Sequence, residues 1–272
     1  MKTSLVSVII STRDEGKNIE RLLKSIVSQT YKNIEIIAVD NYSTDKTVSI
    51  AKKYTKHVYC FGPERSSQRN FGGVKAHGAY YLFLDADMQL PKTIISECVL
   101  AAKEKSTAAV IIPELTPVIN FFSRCKNLEK LLYSNVVFIE AARFYKKSAF
   151  EKISGYNRDL IAGEDWDLSN RARAIGQINR IRTPLLHYET SMLQELKHKY
   201  YYASVIHKYA QLYPDEFKKQ SGISRIKLFW KKRRILMSDP LAALGLLAVK
   251  NLEYLIYFWV GCVKKRSIHS ML

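Results

Sequence analysis

Residues 80–91, YYLFLDADMQLP, run apolar for one short stretch and then end in two aspartates separated by a single alanine. An uninterrupted apolar run of that length fits a strand buried on both faces, as in a parallel sheet. Carboxylates at the end of such a strand need a partner, because an unpaired buried charge carries a large desolvation cost. Asp85 and Asp87 are two positions apart, so an extended chain turns both side chains the same way, and Gln89 continues the spacing. Two carboxylates and an amide oxygen are hard ligands, suited to Mg²⁺ or Mn²⁺ rather than zinc. The competing reading is that one aspartate caps a helix opening at Pro91 while the other is solvated.

Upstream, strands and helices alternate. LVSVIIS (5–11), IEIIAVD (34–40) and HVYCF (57–61) read as strands. Between the first two, Ile19, Leu22, Leu23, Ile26 and Val27 fall on one helical face. TDKTVSIAKKY reads as a second helix, with Ser43 or Thr44 as its cap, and SSQRNFGGVKAH as a third. After Pro91 come a helix and the strand TAAVII (107–112). This order predicts an α/β fold: a Rossmann-like, mostly parallel sheet flanked by helices. Residues 114–160 mix helical and extended signals. GEDWDLSNRARAIG reads as a short helix, and QINRI and LLHYE as strands.

Ligands of an open parallel sheet bind outside the carboxyl ends of its strands. The residues there are STRDEG, DNYSTD and DADMQ. No GxGxxG follows the first strand, which argues against a dinucleotide-dependent oxidoreductase, and no GxxxxGK[ST] is present, which excludes a P-loop nucleotidase.

The segments SVIISTRDEGKNIERLLKSIVSQTYKNIEIIAVDNYSTDKT, SSQRN, FLDADMQLP and GEDWDL occur in an order and spacing that resembles the family 2 glycosyltransferases of the GT-A fold, inverting type. The resemblance covers roughly residues 4–190. It implies that Asp40 contacts the nucleotide base and that the loop around Thr12, Arg13 and Glu15 lines the nucleotide pocket, with Asn41 and Ser43 beside it. It also implies that Asp85, Asp87 and Gln89 hold a divalent cation, Mn²⁺ or Mg²⁺, on the donor diphosphate, with Ala86 between them. Where the family usually has proline and asparagine, this chain has Ser11 and Asp14. Arg65 and Arg69 are placed to meet donor phosphates or to line a solvated helix face. His187 is a candidate third metal ligand, or a structural histidine. On the helix, Asp165 shares a face with Leu168, Ala172 and Ile175, and the resemblance makes it the general base, with Glu164 beside it. The local pattern alone leaves helix capping equally open. Asp167 and Arg171, four residues apart, read as a surface ion pair.

The chain carries 43 Lys and Arg against 25 Asp and Glu, a net +18. Residues 191–272 hold 15 basic and 5 acidic residues, a net +10 concentrated in less than a third of the length. Such a field favours anionic partners, and no nucleic-acid motif accompanies it. RIKLFWKKRRIL (225–236) interleaves basic and apolar residues, and residues 240–266 form an apolar stretch interrupted by Lys250, Asn251 and Glu253. Charges at mid-bilayer are costly, so a tail lying on the membrane surface is expected rather than a span. The alternatives are a helix packed on the catalytic domain or a homo-oligomer contact. The expected domains are 1–190, with a nucleotide-sugar half to about 112 and an acceptor half from 113, and a helical extension 191–272. The four cysteines, Cys60, Cys98, Cys125 and Cys262, show no paired spacing, which fits a reducing compartment. The protein is therefore expected on the cytoplasmic face of a membrane, using a UDP- or GDP-sugar and a glycan or lipid-linked acceptor. Two rivals are a sugar nucleotidylyltransferase, whose Gly-rich basic loop STRDEGKN does not provide, and a basic membrane- or nucleic-acid-binding protein on a degenerate transferase scaffold.

Overall fold

The computed structural model describes residues 3–189 and 191–269, with the side chains described as far as Gly261. Cys262 and the basic residues that follow it lie outside the described side chains. In chain order the elements begin β1 (Val6–Thr12), α1 (Ile19–Val27), β2 (Ile34–Asp40), α2 (Thr47–Ala51), β3 (Val58–Cys60) and α3 (Arg65–Lys75). Then follow β4 (Tyr80–Asp85), β5 (Met88–Gln89), α4 (Ile94–Ala101), β6 (Thr107–Ile111) and β7 (Glu114–Leu115). Next come α5 (Phe121–Tyr133), β8 (Phe144–Lys146), α6 (Lys147–Lys152), α7 (Glu164–Ile175), β9 (Gln177–Arg180) and β10 (Leu185–His187). The remainder is helical: α8 (Met192–Val205), α9 (His207–Leu212), α10 (Pro214–Lys219), α11 (Gly222–Lys231), α12 (Arg233–Met237) and α13 (Pro240–His269).

The chain divides into two compact units. One comprises 1–115, 140–158 and 164–187; the other comprises 116–139, 159–163 and 188–272. The helical unit thus takes in α5 as well as the tail. The physical reason is a shared apolar core, in which Cys125, Leu128 and Leu132 of α5 cluster with Phe229, Ala242 and Leu246.

The first unit holds a seven-stranded sheet of order β3-β2-β1-β4-β8-β6-β9. β1 is buried at every residue, as a central strand covered on both faces must be. Alternation sorts its side chains: Val8 and Ile10 join Leu82 and Leu84 on one face, while Ile9 joins Phe83 and Ile37 on the other. β1 pairs in parallel with β2 and β4, with Thr12 opposite Asp40 and Ser11 opposite Asp85. That register brings three strand ends to one edge. β8 runs antiparallel between β4 and β6, so the sheet is mixed at this point. Its three residues lie in the stretch where the sequence carried no clear period.

Four local expectations are corrected. Val27 is 59% exposed and not part of the buried face of α1, where Ile19, Leu22, Leu23 and Ile26 suffice. Neither Ser43 nor Thr44 caps α2; instead Asp45 Oδ1 accepts from the Thr47 N–H at 2.9 Å. Pro91 precedes a turn, and α4 begins at Ile94, whose N–H bonds the Pro91 carbonyl at 3.3 Å. The chain does not stay extended from Asp85 to Gln89, because it turns at Ala86–Asp87. β5 then pairs antiparallel with β10, Met88 opposite His187, in a small sheet of order β5-β10-β7.

In the helical unit α13 packs on α5 and α8. Gly245 permits the approach: a Cβ there would lie 2.6 Å from Cys125 Sγ and 2.8 Å from the Phe121 ring. Lys250 and Glu253, the charges that interrupt the apolar stretch, are both buried inside the unit. Lys250 pairs with Glu129 of α5 and lies 2.7 Å from Glu253. Glu129 also accepts from Lys126 at 2.8 Å, and Lys126 reaches Glu195 of α8 at 3.4 Å.

Candidate active site

The loops after β1 and β2 are bound to each other by short hydrogen bonds. Asp14 N–H donates to Ser43 Oγ at 2.7 Å, and Thr44 N–H donates to Asp14 Oδ1 at 2.8 Å. Glu15 N–H donates to Thr47 Oγ1 at 2.7 Å, and Gly16 N–H to Asp45 Oδ2 at 2.9 Å. Asp14 has φ 52°, a conformation that asparagine and aspartate tolerate best among residues with a side chain. Asp14 therefore supports both the backbone turn and a hydrogen bond to the second loop. Arg13 is exposed beside Asp14.

Asp40 is buried at the end of β2. Its two oxygens accept from Ser43, from the N–H at 2.7 Å and from Oγ at 2.5 Å. Asn41 N–H donates to the Thr12 carbonyl at 2.9 Å. Gln68, which the sequence reading did not single out, donates through its buried amide to the carbonyls of Thr12 and Val39, at 3.0 and 2.7 Å. It ties the ends of β1 and β2 together.

At the end of β4 a chain of charges assembles. Arg69 is fully buried; its Nη2 donates to Asp85 Oδ1 at 2.8 Å, and its Nη1 to Asp165 Oδ1 at 2.8 Å and Glu164 Oε1 at 3.4 Å. It also lies over the Tyr156 ring, 5.1 Å from the centroid. Arg69 is thus neither a solvated helix face nor an open phosphate ligand, whereas Arg65 is exposed. Arg143, just before β8, reaches the other side of Asp85, Nη1 to Oδ2 at 3.3 Å, and donates to Glu114 at 2.8 Å. Glu114 in turn meets His187 Nδ1 at 3.0 Å, and His187 Nε2 lies 3.3 Å from Asp87 Oδ2. Arg143 and Glu114 were missed because both sit in the stretch without periodicity.

Burial opposes ionisation of Asp85, but Arg69, Arg143, Arg65 and His187 outweigh it and hold the carboxyl well below its usual range. Glu164 behaves in the opposite way. Burial, reinforced by the neighbouring charge of Asp165, pushes it up to about 7 despite Arg69. Burial also raises Glu15, and although the Asn18 amide opposes it, Asp87, Asp85 and Asp45 add to the rise. Glu15 therefore feels the DAD carboxylates. Asp165 is partly open, its side chain 29% exposed against 10% for Glu164. Asp167 is buried rather than superficial; it pairs with Arg171, which also donates to the Ile153 carbonyl.

A divalent cation fits these residues. Asp87 Oδ1 is buried without a hydrogen-bond partner among the described residues, and Ser11 Oγ and Thr12 Oγ1 share that condition at the same sheet edge. Such atoms are costly unless a ligand or water meets them. Among the described residues no three His, Cys, Asp or Glu side chains are already gathered as a cage. Asp85 faces two guanidiniums, so it would exchange part of that pairing for a cation shared with Asp87. β10 brings His187 to Asp87, and Ala86 is buried in the turn between the aspartates. The turn removes the spacing argument that placed Gln89 beside them.

The Glycosyl transferase family 2 model matches residues 7–154, which contain this sheet edge and the DAD turn. The chain belongs to that family. It is 40% identical over 99 residues to UDP-Glc:alpha-D-GlcNAc-diphosphoundecaprenol beta-1,3-glucosyltransferase WfaP of Escherichia coli, a match covering 34% of this chain and 39% of WfaP. It is 24% identical over 233 residues to the putative glycosyltransferase EpsH of Bacillus subtilis, covering 73% of this chain and 65% of EpsH. The chain thus spans about two-fifths of WfaP and just under two-thirds of EpsH. Among solved structures, mannosyltransferase PcManGT of Pyrobaculum calidifontis in complex with GDP-Man and Mn²⁺ superposes with a TM-score of 0.65 at 15% identity, over 95% of this chain and 88% of that one. TarS 1–349 of S. aureus in complex with UDP-GlcNAc gives 0.56 at 20% identity, over 74% of this chain and 66% of that one. The family 2 chain has the GT-A fold of these transferases, with a helical C-terminal extension.

Proposed function

We propose that the protein is a metal-dependent, inverting glycosyltransferase that moves a sugar from a nucleotide-sugar, UDP- or GDP-linked, to a hydroxyl or phosphate of a lipid-linked acceptor on the cytoplasmic face of a membrane. The observation that carries this reading is the single chain of contacts Asp87–His187–Glu114–Arg143–Asp85–Arg69–Asp165 at the carboxyl edge of the sheet. It joins the residues suited to a diphosphate-bound cation to those suited to an acceptor proton. PcManGT and TarS, with their bound GDP-Man and UDP-GlcNAc, support a nucleotide-sugar donor. WfaP, by its name, acts on a diphosphoundecaprenol-linked sugar, which supports the acceptor class.

A cation held by Asp85, Asp87 and His187 would neutralise the charge that develops on the departing diphosphate. The chain's own groups do the rest. Thr12, Glu15, Asp40, Asn41 and Ser43 form the wall for the nucleoside, with Arg13 at its rim. Arg65 is placed to approach the diphosphate. Asp165 is the base that takes the acceptor proton, and Arg69 holds its carboxylate in position. Glu164, at about 7, is half protonated near neutrality and hands less charge to Arg69, leaving that guanidinium to Asp165 and Asp85. A single displacement assisted by one base inverts the anomeric centre.

The test is metal-dependent donor binding in one variant. Asp87→Asn is expected to lower metal-dependent donor affinity by more than the roughly 10–100-fold that loss of a mere supporting group costs. Unchanged affinity in that variant would remove Asp87 from the site.

A further inference from the structure

We propose that the outward face of α13, with the basic ends of α11 and α12, is a docking surface for an anionic lipid bilayer, on which the helix lies without crossing. A helix at a water boundary turns charge outward and apolar groups inward. Between Pro240 and Gly261 apolar residues such as Ala242, Leu246 and Val249 do turn inward, but the outward face is apolar too. Both charges of this segment, Lys250 and Glu253, are buried, while Leu244, Leu255 and Phe258 are 67%, 63% and 72% exposed. Leu241 and Trp259 continue the same apolar surface, and Asn251 is the one polar side chain exposed in the segment among the described residues. In water this arrangement loses twice, exposing leucines and desolvating charges; against acyl chains the leucines gain.

The segment is long and apolar enough to cross a membrane, and 33% of its apolar window is buried inside the unit. Crossing would place lipid around the whole helix and strip Lys250 from Glu129. The pairing of Lys250 with Glu129 and Glu253 therefore commits one side of α13 to protein and leaves the other for the bilayer surface.

Charge complementarity selects the occupant. Lys227, Lys231, Arg233 and Arg234 are exposed around Trp230, itself 74% exposed, with the Arg233 guanidinium 5.7 Å from the Trp230 ring centroid. Basic residues beside an exposed tryptophan suit the headgroup layer of an anionic leaflet. A second copy of this chain would cover the leucines, but it would also bring two tails of net +10 together.

This inference sharpens the membrane part of the proposed function and is independent of the donor chemistry. The full chain is floated with vesicles of phosphatidylethanolamine containing a quarter phosphatidylglycerol, and separately with pure phosphatidylcholine. Binding to the anionic vesicles is expected, weakened by high salt. The double substitution Leu255→Glu with Phe258→Glu is expected to lower partition by roughly tenfold or more while leaving the melting temperature unchanged. Lys231→Ala and Arg234→Ala are each expected to cost about fivefold on anionic vesicles only. Equal flotation of the double variant overturns the proposal, as does no binding by the unaltered chain. A dimer in light scattering that the same double substitution dissolves, without vesicle binding, assigns the face to a second copy instead. Vesicle binding without sugar transfer would leave this proposal standing and remove the proposed function alone.

Discussion

In the sheet unit, Arg69 lies among Asp85, Glu164 and Asp165 at the carboxyl ends of the strands; in the helical unit, Lys250 lies against Glu129 and Glu253 halfway along a helix. Both clusters are buried, and burial alone does not distinguish them. The difference lies in where each leaves groups unfinished, at the carboxyl ends of strands or along the middle of a helix. Around Arg69, Asp87 Oδ1 and the hydroxyls of Ser11 and Thr12 are buried without partners, and Glu164 sits at about 7. In the helical cluster Glu253 Oε1 is also buried without a partner and burial lowers Lys250 despite Glu129, but the attraction between Glu129 and Lys126 outweighs burial and drives that carboxyl well down and that ammonium well up. Under the proposed function, the first cluster keeps its groups in reserve at the sheet edge for a ligand and a proton. The other locks three helices together, and its outward consequence is the charge-free face of α13.

That contrast breaks most sharply at Asp165. Asp165→Asn removes the proposed base and is expected to slow transfer by about 10²–10⁴-fold while donor binding is retained, measured by nucleotide release beside a binding titration. A comparable loss of both binding and turnover would mean that the residue only holds the site together. In the helical unit, Glu129→Ala removes the carboxylate that Lys126 and Lys250 share, leaving them only Glu195 and Glu253, and is expected to cost about 3 kcal/mol of stability by denaturant unfolding. Replacing Lys250 and Glu253 together by methionine and leucine leaves Glu129 its partner Lys126 and is expected to cost less.

The smallest effect is a pH slope. The folded-state pKa of Glu164, about 7, lies above the ordinary 4.5, so the folded chain holds a proton that the unfolded chain has released. Stability should therefore fall as pH rises from about 4.5 to about 7 and level off above. Glu164→Gln should flatten that slope in thermal melts recorded across the same range. An unaltered slope would assign it to another group.

The strands carrying the site were legible in sequence because buried parallel strands write their burial as continuous apolar runs: β1, β2 and β4 all do so. The strand-end positions of Asp40 and Asp85 followed from the alternation, and Glu164 and Asp165 open a helix as expected, all in the sheet unit. What stayed hidden depends on long-range pairing. Arg143 reaches Asp85 only because β8 is inserted antiparallel between β4 and β6, and three residues in an aperiodic stretch carry no local signal of it. The pairing of His187 with Asp87 depends on the antiparallel β5–β10 contact after the chain turns at Ala86. Asp167 looked superficial because an i, i+4 pair is common on helix surfaces, and nothing local revealed that this one is covered. The charges in the apolar tail were visible, but their burial needed α5, which lies more than a hundred residues earlier.

The central claim, that the edge built on Asp85, Asp87 and Arg69 binds a nucleotide-sugar through a divalent cation, is tested most directly by thermal shift. The protein is melted with UDP-, GDP-, CMP- and dTDP-sugars, each with Mn²⁺ and with EDTA. Stabilisation by a UDP- or GDP-sugar is expected, and it should disappear with EDTA and in Asp87→Asn. No shift with any donor, or an equal shift in EDTA, would contradict it.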